Sequence, residues 1–404
     1  MGKERRAIII GGSMSGLLIG LLLQRSGWRV DVYERAGDEL SGRGAGIVAQ
    51  PELIARLGRL GLKTDDLGVH IARRQILDVR GGVTNEIGCA QVATAWERVF
   101  RLLRRAFPDA HYHRGRTLKG FTQTADGVTA HFADGAAADA GVLVGADGIR
   151  STVRQHLAPD VAPLYAGYVA WRALIAEDRI PRDTHAAIFD IMSFGLPPGE
   201  QFLSYPVAGP DNDLRPGHRR TNVIWYRPAD EAGKLKWLLT DAQGRTHDIS
   251  IPPALIRAEA IGEMHDAAER LLAPPFRALV RLIDEPLLQP IYDLVSPRMA
   301  FGRVALIGDA AFVARPHVGA GVSKAADDAA ALAEALAVSD DVPGALSAFE
   351  AARLTENRRI IEWARHLGAY LQATRTQAEQ ASAGRHATDD AVIRETATLD
   401  FLYA

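Results

Sequence analysis

Two hydrophobic periods alternate along this chain. Ile8, Ile9 and Ile10 form a β-branched run that halts at Gly11, and Leu17, Leu18, Leu21 and Leu22 then recur at helical spacing. An alternating stretch from Arg29 to Tyr33 follows and closes on Glu34. Strand, glycine-rich turn, helix and strand within about 30 residues is the pattern of a dinucleotide-binding βαβ unit. Glu52 to Leu62 repeats Leu53, Leu57 and Leu60 on one helical face. Trp96 to Ala106 turns Val99, Leu102, Leu103 and Ala106 inward and leaves Arg98, Arg101 and Arg105 as a basic stripe. Between these helices, Ile71 to Ala93 reads as short strands around the turn Gly81-Gly82, an excursion into a second domain.

Strands at Thr117–Thr122 and Val128–Phe132 lead to a buried strand that starts at Val142 and ends on Asp147-Gly148. Gln201–Val207 and Thr221–Arg227 alternate with period two and carry Phe202, Tyr205, Trp225 and Tyr226, which predicts an antiparallel sheet with one buried face. Residues 228–275 are polar and broken by prolines, as in an insertion. A further buried strand, Val304–Ile307, ends on Gly308-Asp309, and Gly319-Ala320-Gly321 opens another helix. Leu346 to Leu371 is a long helix with Ile360, Ala364, Leu367 and Leu371 in one stripe, suited to a domain boundary, with a homodimer contact as the alternative. Beyond Thr374 the chain turns Ala-, Thr- and Gln-rich and is expected to be loosely ordered.

At 404 residues the chain is long enough for two or three domains. A net charge of −2 gives no general attraction to nucleic acid or anionic membrane. No apolar run reaches the roughly 18 residues of a spanning helix. Cys89 is the one cysteine, which excludes an intramolecular disulfide and any cysteine-based metal or iron–sulfur centre. His111 and His113 share a strand face without a carboxylate beside them, so no metal site is expected. These features suit a cytoplasmic protein.

The chemistry gathers at three strand ends. Gly11 permits a tight turn, Gly16 a close approach of helix to strand, and the helix N-terminus offers free N–H groups to a pyrophosphate. Glu34, 23 residues beyond Gly11, is placed to accept hydrogen bonds from a ribose. Asp147 stands where open α/β sheets bind ligands, although it could equally cap the helix that follows. Asp309 ends its strand before a loop carrying Arg315, Pro316 and His317. Ser13 replaces the middle glycine of the usual fingerprint.

In this order and spacing, GGSMSG with Glu34-Arg35, Asp147-Gly148 with Arg154, and Gly308-Asp309 with Pro316 through Gly321 resemble the single-component (class A) FAD-dependent aromatic hydroxylases. The likeness covers nearly the whole chain. It implies an α/β protein with a Rossmann-like FAD-binding domain (1–70, 94–160 and 290–343). A second, α+β substrate domain on a mostly antiparallel sheet follows (71–93 and 161–289), then a C-terminal helical region (344–404). FAD would be held without a covalent bond. Gly11, Ser13, Met14, Ser15 and Gly16 would face its pyrophosphate, Glu34 its adenosine ribose and Arg35 its adenine. Ile47, Val48 and Leu118 would flank the cofactor, and Asp147 and Gly148 would serve FAD and the nicotinamide donor. Asp309 would bind the ribityl chain or pyrophosphate. Pro316, Val318, Gly319, Ala320 and Gly321 would border the flavin.

The activity implied is hydroxylation of a small electron-rich aromatic or N-heteroaromatic ring, such as a dihydroxypyridine. The electron donor would be NADH or NADPH, the oxidant O2, and the route a flavin C4a-hydroperoxide. Pro316, which has no N–H, would offer its carbonyl as acceptor. His317 is the first candidate base and Tyr205 the second, while Tyr205, Trp225, Phe194 and His317 would wall the substrate. The alternatives are a flavoprotein oxidase or dehydrogenase, or a non-catalytic FAD-binding redox sensor. Departures from the family pattern include Trp96 where an arginine often contacts the flavin, Phe312 where histidine is usual, and Ser323 where asparagine is common.

Overall fold

The isoleucine strand Arg6–Ile10 lies inside a sheet of six strands. Their order is Ala300–Phe301, Val304–Leu306, Val142–Gly145, Arg6–Ile10, Arg29–Glu34 and Tyr112–Arg114, with every pair parallel except the first. The helices Met14–Arg25 and Gly321–Ala337 lie against each other over this sheet. The antiparallel strands Leu118–Gln123, Val128–Phe132 and Ala137–Ala140 form a third, small sheet against Arg6–Ile10 and Val142–Gly145, so the middle strands are apolar on both faces, as parallel strands covered on both sides must be. The structure, a computed structural model, describes residues 5–38, 40 and 46–402. Ser41 to Ala45, the first half of the glycine-rich loop before Ile47, lies outside the described residues.

A second sheet of nine strands runs Phe312–Val313, Leu287–Val295, Leu164–Ala176, Arg220–Pro228, Gln201–Val207, Met192–Gly195, Val69–Leu77, Val83–Ala95 and Gly46–Ala49. It is antiparallel except where Met192–Gly195 meets Val69–Leu77. The expectation of a single buried face is corrected here, because every residue of Gln201–Val207 is buried. On one side Trp171, Phe202 and Trp225 meet the helices Ala258–Leu271 and Pro274–Val280. The segment that read as an insertion is thus the cover for that face. On the other side Tyr168, Phe194, Tyr205, Ile224 and Tyr226 form a separate cluster.

The long helix spans Val342–Gly368, and its stripe Ile360, Ala364 and Leu367 packs within the chain against Val318, Ala320 and Leu399. The tail is more structured than its composition suggests. Gln377–His386 and Asp389–Glu395 are helices, the first opened by a capping box between Thr376 and Glu379. Val392 and Ile393 are buried with Ile71 and Ile76 of the large sheet, which supplies the apolar contact that holds the tail down. A second correction concerns the histidine pair. Asp31 Oδ1 lies 3.0 Å from both His111 Nδ1 and His113 Nε2, brought there by the parallel pairing of Arg29–Glu34 with Tyr112–Arg114. Among the described residues no helix is long and apolar enough to cross a membrane.

One buried ion pair gives this scaffold a pH signature. Burial pushes the Glu177 carboxyl up, but hydrogen bonds from Arg219 and His185 together outweigh it and hold the group down at about 2, from an ordinary 4.5. A depressed carboxyl contributes stability that is complete above the ordinary value and is lost as pH falls toward the depressed one. Denaturant midpoints of the wild type are therefore expected to fall between pH 4.5 and 2 more steeply than those of Glu177→Gln. Parallel curves for the two proteins would remove this pair from the acid sensitivity.

Candidate active site

A cavity of about 590 Å³ opens between the strand ends of the six-stranded sheet and the inner face of the larger one. Its dinucleotide end starts at Gly11, whose φ of +105° and contact with Ala146 leave no room for a side chain: a Cβ would sit 2.3 Å from the Ala146 carbonyl oxygen. Ser13, Met14 and Ser15 line the wall, while Gly16 lies behind it, where a Cβ would be 1.9 Å from the Gly11 oxygen. The helix Met14–Arg25 begins with no side-chain cap and no acid in its first turn, so its leading N–H groups are free for an anion. Glu34 accepts the Gly12 N–H and the Ala36 N–H, each at 2.8 Å, which fixes its carboxylate at the wall with lone pairs remaining for hydroxyl donors. Arg35, Arg116, Thr117 and Leu118 continue this end.

Asp147 lines the cavity, but its carboxylate serves the helix Thr152–Leu157. It accepts from Ser151 Oγ at 2.5 Å, Thr152 N–H at 2.7 Å and Val153 N–H at 3.2 Å. The capping role weighed from sequence is present, and Gly148 beside it, at φ +74°, also faces the cavity. Arg154 is buried and donates to the carbonyls of Ile149, Ala310 and Val161. It therefore clamps the loop at 147–149 to the turn at 308–310.

Asp309 stands exposed to the cavity, and no described residue donates a hydrogen bond to it. The surrounding protein raises its carboxyl above the ordinary value, with Lys324 pulling it down and Asp328 pushing it up. Behind it, Asp328 accepts the Gly308 N–H at 3.1 Å, Arg353 Nε at 3.0 Å and Asn357 Nδ2 at 2.9 Å. Lys324 Nζ, buried and without a hydrogen-bond partner, lies 3.7 Å from Asp328 Oδ2. Gly319 turns at φ +65°, and the helix from Gly321 is a second uncapped N-terminus with no first-turn acid. Pro316, His317, Gly319 and Gly321 line the cavity; Val318 and Ala320 instead face the long helix.

The opposite end is walled by the large sheet. Ile47, Val48, Tyr205 and Tyr226 line it, with Met192, Leu203 and Ile224 between them. Two expected wall residues are corrected. Strand alternation turns Trp225 to the far side of the sheet, against Phe202 and Phe276, and places its neighbour Tyr226 at the cavity. Phe194 is on the near face but fully buried beneath the wall. Burial pushes the Tyr205 hydroxyl up to about 12, with Arg172 drawing it down. His317 Nε2 shares a 2.8 Å hydrogen bond with the Tyr168 hydroxyl, and its ring packs between Tyr168 and Tyr226. Burial, and then His386 and Arg315, hold its imidazole well below the ordinary 6.5, so it is neutral at physiological pH. Its carbonyl accepts the Ala397 N–H at 2.6 Å.

The sequence left several wall residues unassigned. Arg172 donates Nη1 to Gln289 Oε1 at 2.9 Å and Nη2 to the Gly46 carbonyl at 3.1 Å. Arg315 is buried, with Nε on Asp293 at 3.0 Å and Nη1 on Gln372 at 2.9 Å. Gln201, Gln289, Thr396 and Ala397 complete this end. Trp96 lines the cavity at the position where the family often has an arginine. The fit to FAD rests on features of this wall: the glycine cradle at Gly11, two uncapped helix N-termini, a cavity-lining Glu34 with acceptor capacity to spare, and an Asp309 without a protein donor among the described residues.

Comparison with known proteins agrees. The FAD binding domain family matches residues 4–163 and 288–364, and an FAD binding domain-like family matches 165–293. The chain is 34% identical over 368 residues to a 2,6-dihydroxypyridine 3-monooxygenase of Paenarthrobacter nicotinovorans, covering 91% of each chain. The solved 2,6-dihydroxypyridine-3-hydroxylase of Arthrobacter nicotinovorans superposes with a TM-score of 0.86 at 33% identity, over 92% of this chain and 93% of that one. A Klebsiella pneumoniae protein solved with FAD and uric acid shares the fold, with a TM-score of 0.76 at 24% identity over 96% and 95% of the two chains.

Proposed function

Because this chain belongs to the single-component FAD-dependent aromatic hydroxylases, we propose that it hydroxylates a small hydroxylated N-heteroaromatic ring, a dihydroxypyridine or near relative. NADH or NADPH would be the transient donor and O2 the oxidant. FAD, when bound, supplies the activation of O2; the chain's own residues supply binding, orientation and exclusion of water. The observation that carries the choice of ring is the state of the two arginines at the sheet end. A ring carboxylate buried there would need a bidentate guanidinium, yet Arg172 already spends Nη1 and Nη2, and Arg315 its Nε and Nη1, on protein acceptors. A ring with hydroxyl or carbonyl oxygens and no carboxylate makes no such demand.

Glu34 and Asp309 would each hold cofactor hydroxyls. Pro316 already gives one carbonyl lone pair to the Gly319 N–H at 2.9 Å, so the turn at 316–319 fixes the direction in which the other is offered. The aromatic wall of Tyr205 and Tyr226 keeps water from the reacting face. The test is NADH and NADPH consumption, with product and peroxide quantified, for 2,6-dihydroxypyridine, 4-hydroxybenzoate, 6-hydroxynicotinate and urate. Coupled turnover of a carboxylated ring, with none on the dihydroxypyridine, would overturn the substrate assignment.

His317 gives a sharper expectation. An imidazole held so far below 6.5 is a weak base, so its role is to brace Tyr168, Tyr226 and the Ala397 turn. His317→Ala should keep its FAD, release more peroxide and lose less than about tenfold in hydroxylation rate. A loss of about 10²-fold or more would be that of a general base.

A further inference from the structure

Unpaired side-chain donors stand at the sheet end of the cavity. Gln201 and Gln289 both line it, and each has its amide oxygen occupied: Tyr370 donates to Gln201 Oε1 at 2.6 Å and Arg172 to Gln289 Oε1 at 2.9 Å. An amide anchored through its oxygen in this way has its N–H groups held on the side away from the anchoring donor. Gln201 Nε2 is buried without a hydrogen-bond partner, and so is Arg172 Nε. The acids of the cavity wall, Glu34, Asp147 and Asp309, all belong to the dinucleotide end. Tyr370 comes from the turn Ala369–Leu371 at the end of the long helix and is itself buried. Burial drives its hydroxyl well above 10, so it remains a donor and keeps the Gln201 amide in one orientation.

We propose that Gln201, oriented by Tyr370, selects the substrate by its acceptor oxygens. The ring would be planar, with carbonyl or oxyanion oxygens on its edge that receive the Gln201 N–H, and the same ring bearing amino groups at those positions would be rejected. A site built from unpaired donors discriminates strongly against a ligand that cannot accept from them. Gln201 is a binding residue here and Tyr370 a positioning residue. The inference rests on the heteroaromatic reading above and names what that ring must present.

The test compares two rings of one shape, 2,6-dihydroxypyridine and 2,6-diaminopyridine. Each is titrated into the FAD-loaded protein without a nicotinamide donor and followed by calorimetry and flavin absorbance. Wild type is expected to bind the dihydroxy ring at least tenfold more tightly. Gln201→Glu, which exchanges a donor for an acceptor, should lower or reverse that ratio, and Gln201→Leu should weaken the dihydroxy ring tenfold or more. Tyr370→Phe frees the amide to rotate, so the ratio should shrink while FAD content and circular dichroism stay unchanged. Wild-type ratios in all three variants would overturn the role of Gln201 and leave the ring assignment standing. A wild-type protein that binds neither ring would overturn both.

Discussion

Asp309→Ala is expected to leave purification with little or no yellow colour. The carboxylate stands at a strand end, open to the cavity, with no described donor on it, so its hydrogen-bonding capacity is unspent until a ligand arrives. A hydrogen bond to a charged group contributes roughly 1.5–3 kcal/mol, which corresponds to a loss of about 10- to 100-fold in FAD affinity. Flavin-to-protein ratio and reconstitution of the apoprotein measure this directly; an unchanged FAD dissociation constant would remove Asp309 from the site. The pH dependence has a definite sign. Surrounding protein raises this carboxyl above 3.8, and hydroxyl donors from the cofactor favour its charged form. FAD affinity should therefore decline as pH falls through that raised value, and Asp309→Ala should lack the decline.

The three strand-end turns that meet at the cavity were legible because backbone constraint dictates residue type there. Gly11 can only be glycine beside the Ala146 carbonyl, and Gly308, at φ +58° with a Cβ position 2.3 Å from Ser15 Oγ, is held to glycine in the same way just before Asp309. What could not be read was which way a doubly buried strand faces. Trp225 and Tyr226 are both apolar-bodied neighbours, and nothing local separates the face under the helices from the face at the cavity. The tail was misread for a related reason. Its order comes from Val392 and Ile393 docking on a strand some 320 residues earlier, and from Arg74, which donates to the carbonyls of Ile393 and Thr396. Those contacts, together with the Ala397 N–H on the His317 carbonyl and the Gln50 and Gln91 amides on the Ala397 carbonyl, hold Thr396 and Ala397 at the cavity. Asp31 likewise meets His111 and His113 through sheet register, which no spacing along the chain encodes.

Asp328→Ala should be among the most destabilising single changes in this protein. Sequence shows two adjacent aspartates, Asp327 and Asp328, but their surroundings differ. Asp327 pairs with the partly exposed Arg56 at 3.1 Å, whereas Asp328 is fully buried and gathers Gly308, Arg353 and Asn357 around one carboxylate. Removing it leaves Arg353 a second partner, Glu356 at 2.7 Å, but leaves the buried Lys324 ammonium with no ion pair within 4 Å among the described residues and only the more distant Asp309 carboxylate to attract it. An uncompensated buried charge costs about 3–5 kcal/mol when one member of such a pair is deleted. Denaturant unfolding of the apoprotein should show that loss, and Asp328→Asn, which keeps an acceptor oxygen, should lose less. The Gly308 N–H also forfeits its acceptor, so the turn that presents Asp309 loosens and FAD affinity should fall along with stability. Lys324→Met in the Asp328→Ala background separates the two effects. It removes the stranded charge and should recover stability without recovering FAD affinity, because the Gly308 N–H is still unpaired; a double variant no more stable than Asp328→Ala would show that the buried ammonium is not what the aspartate compensates.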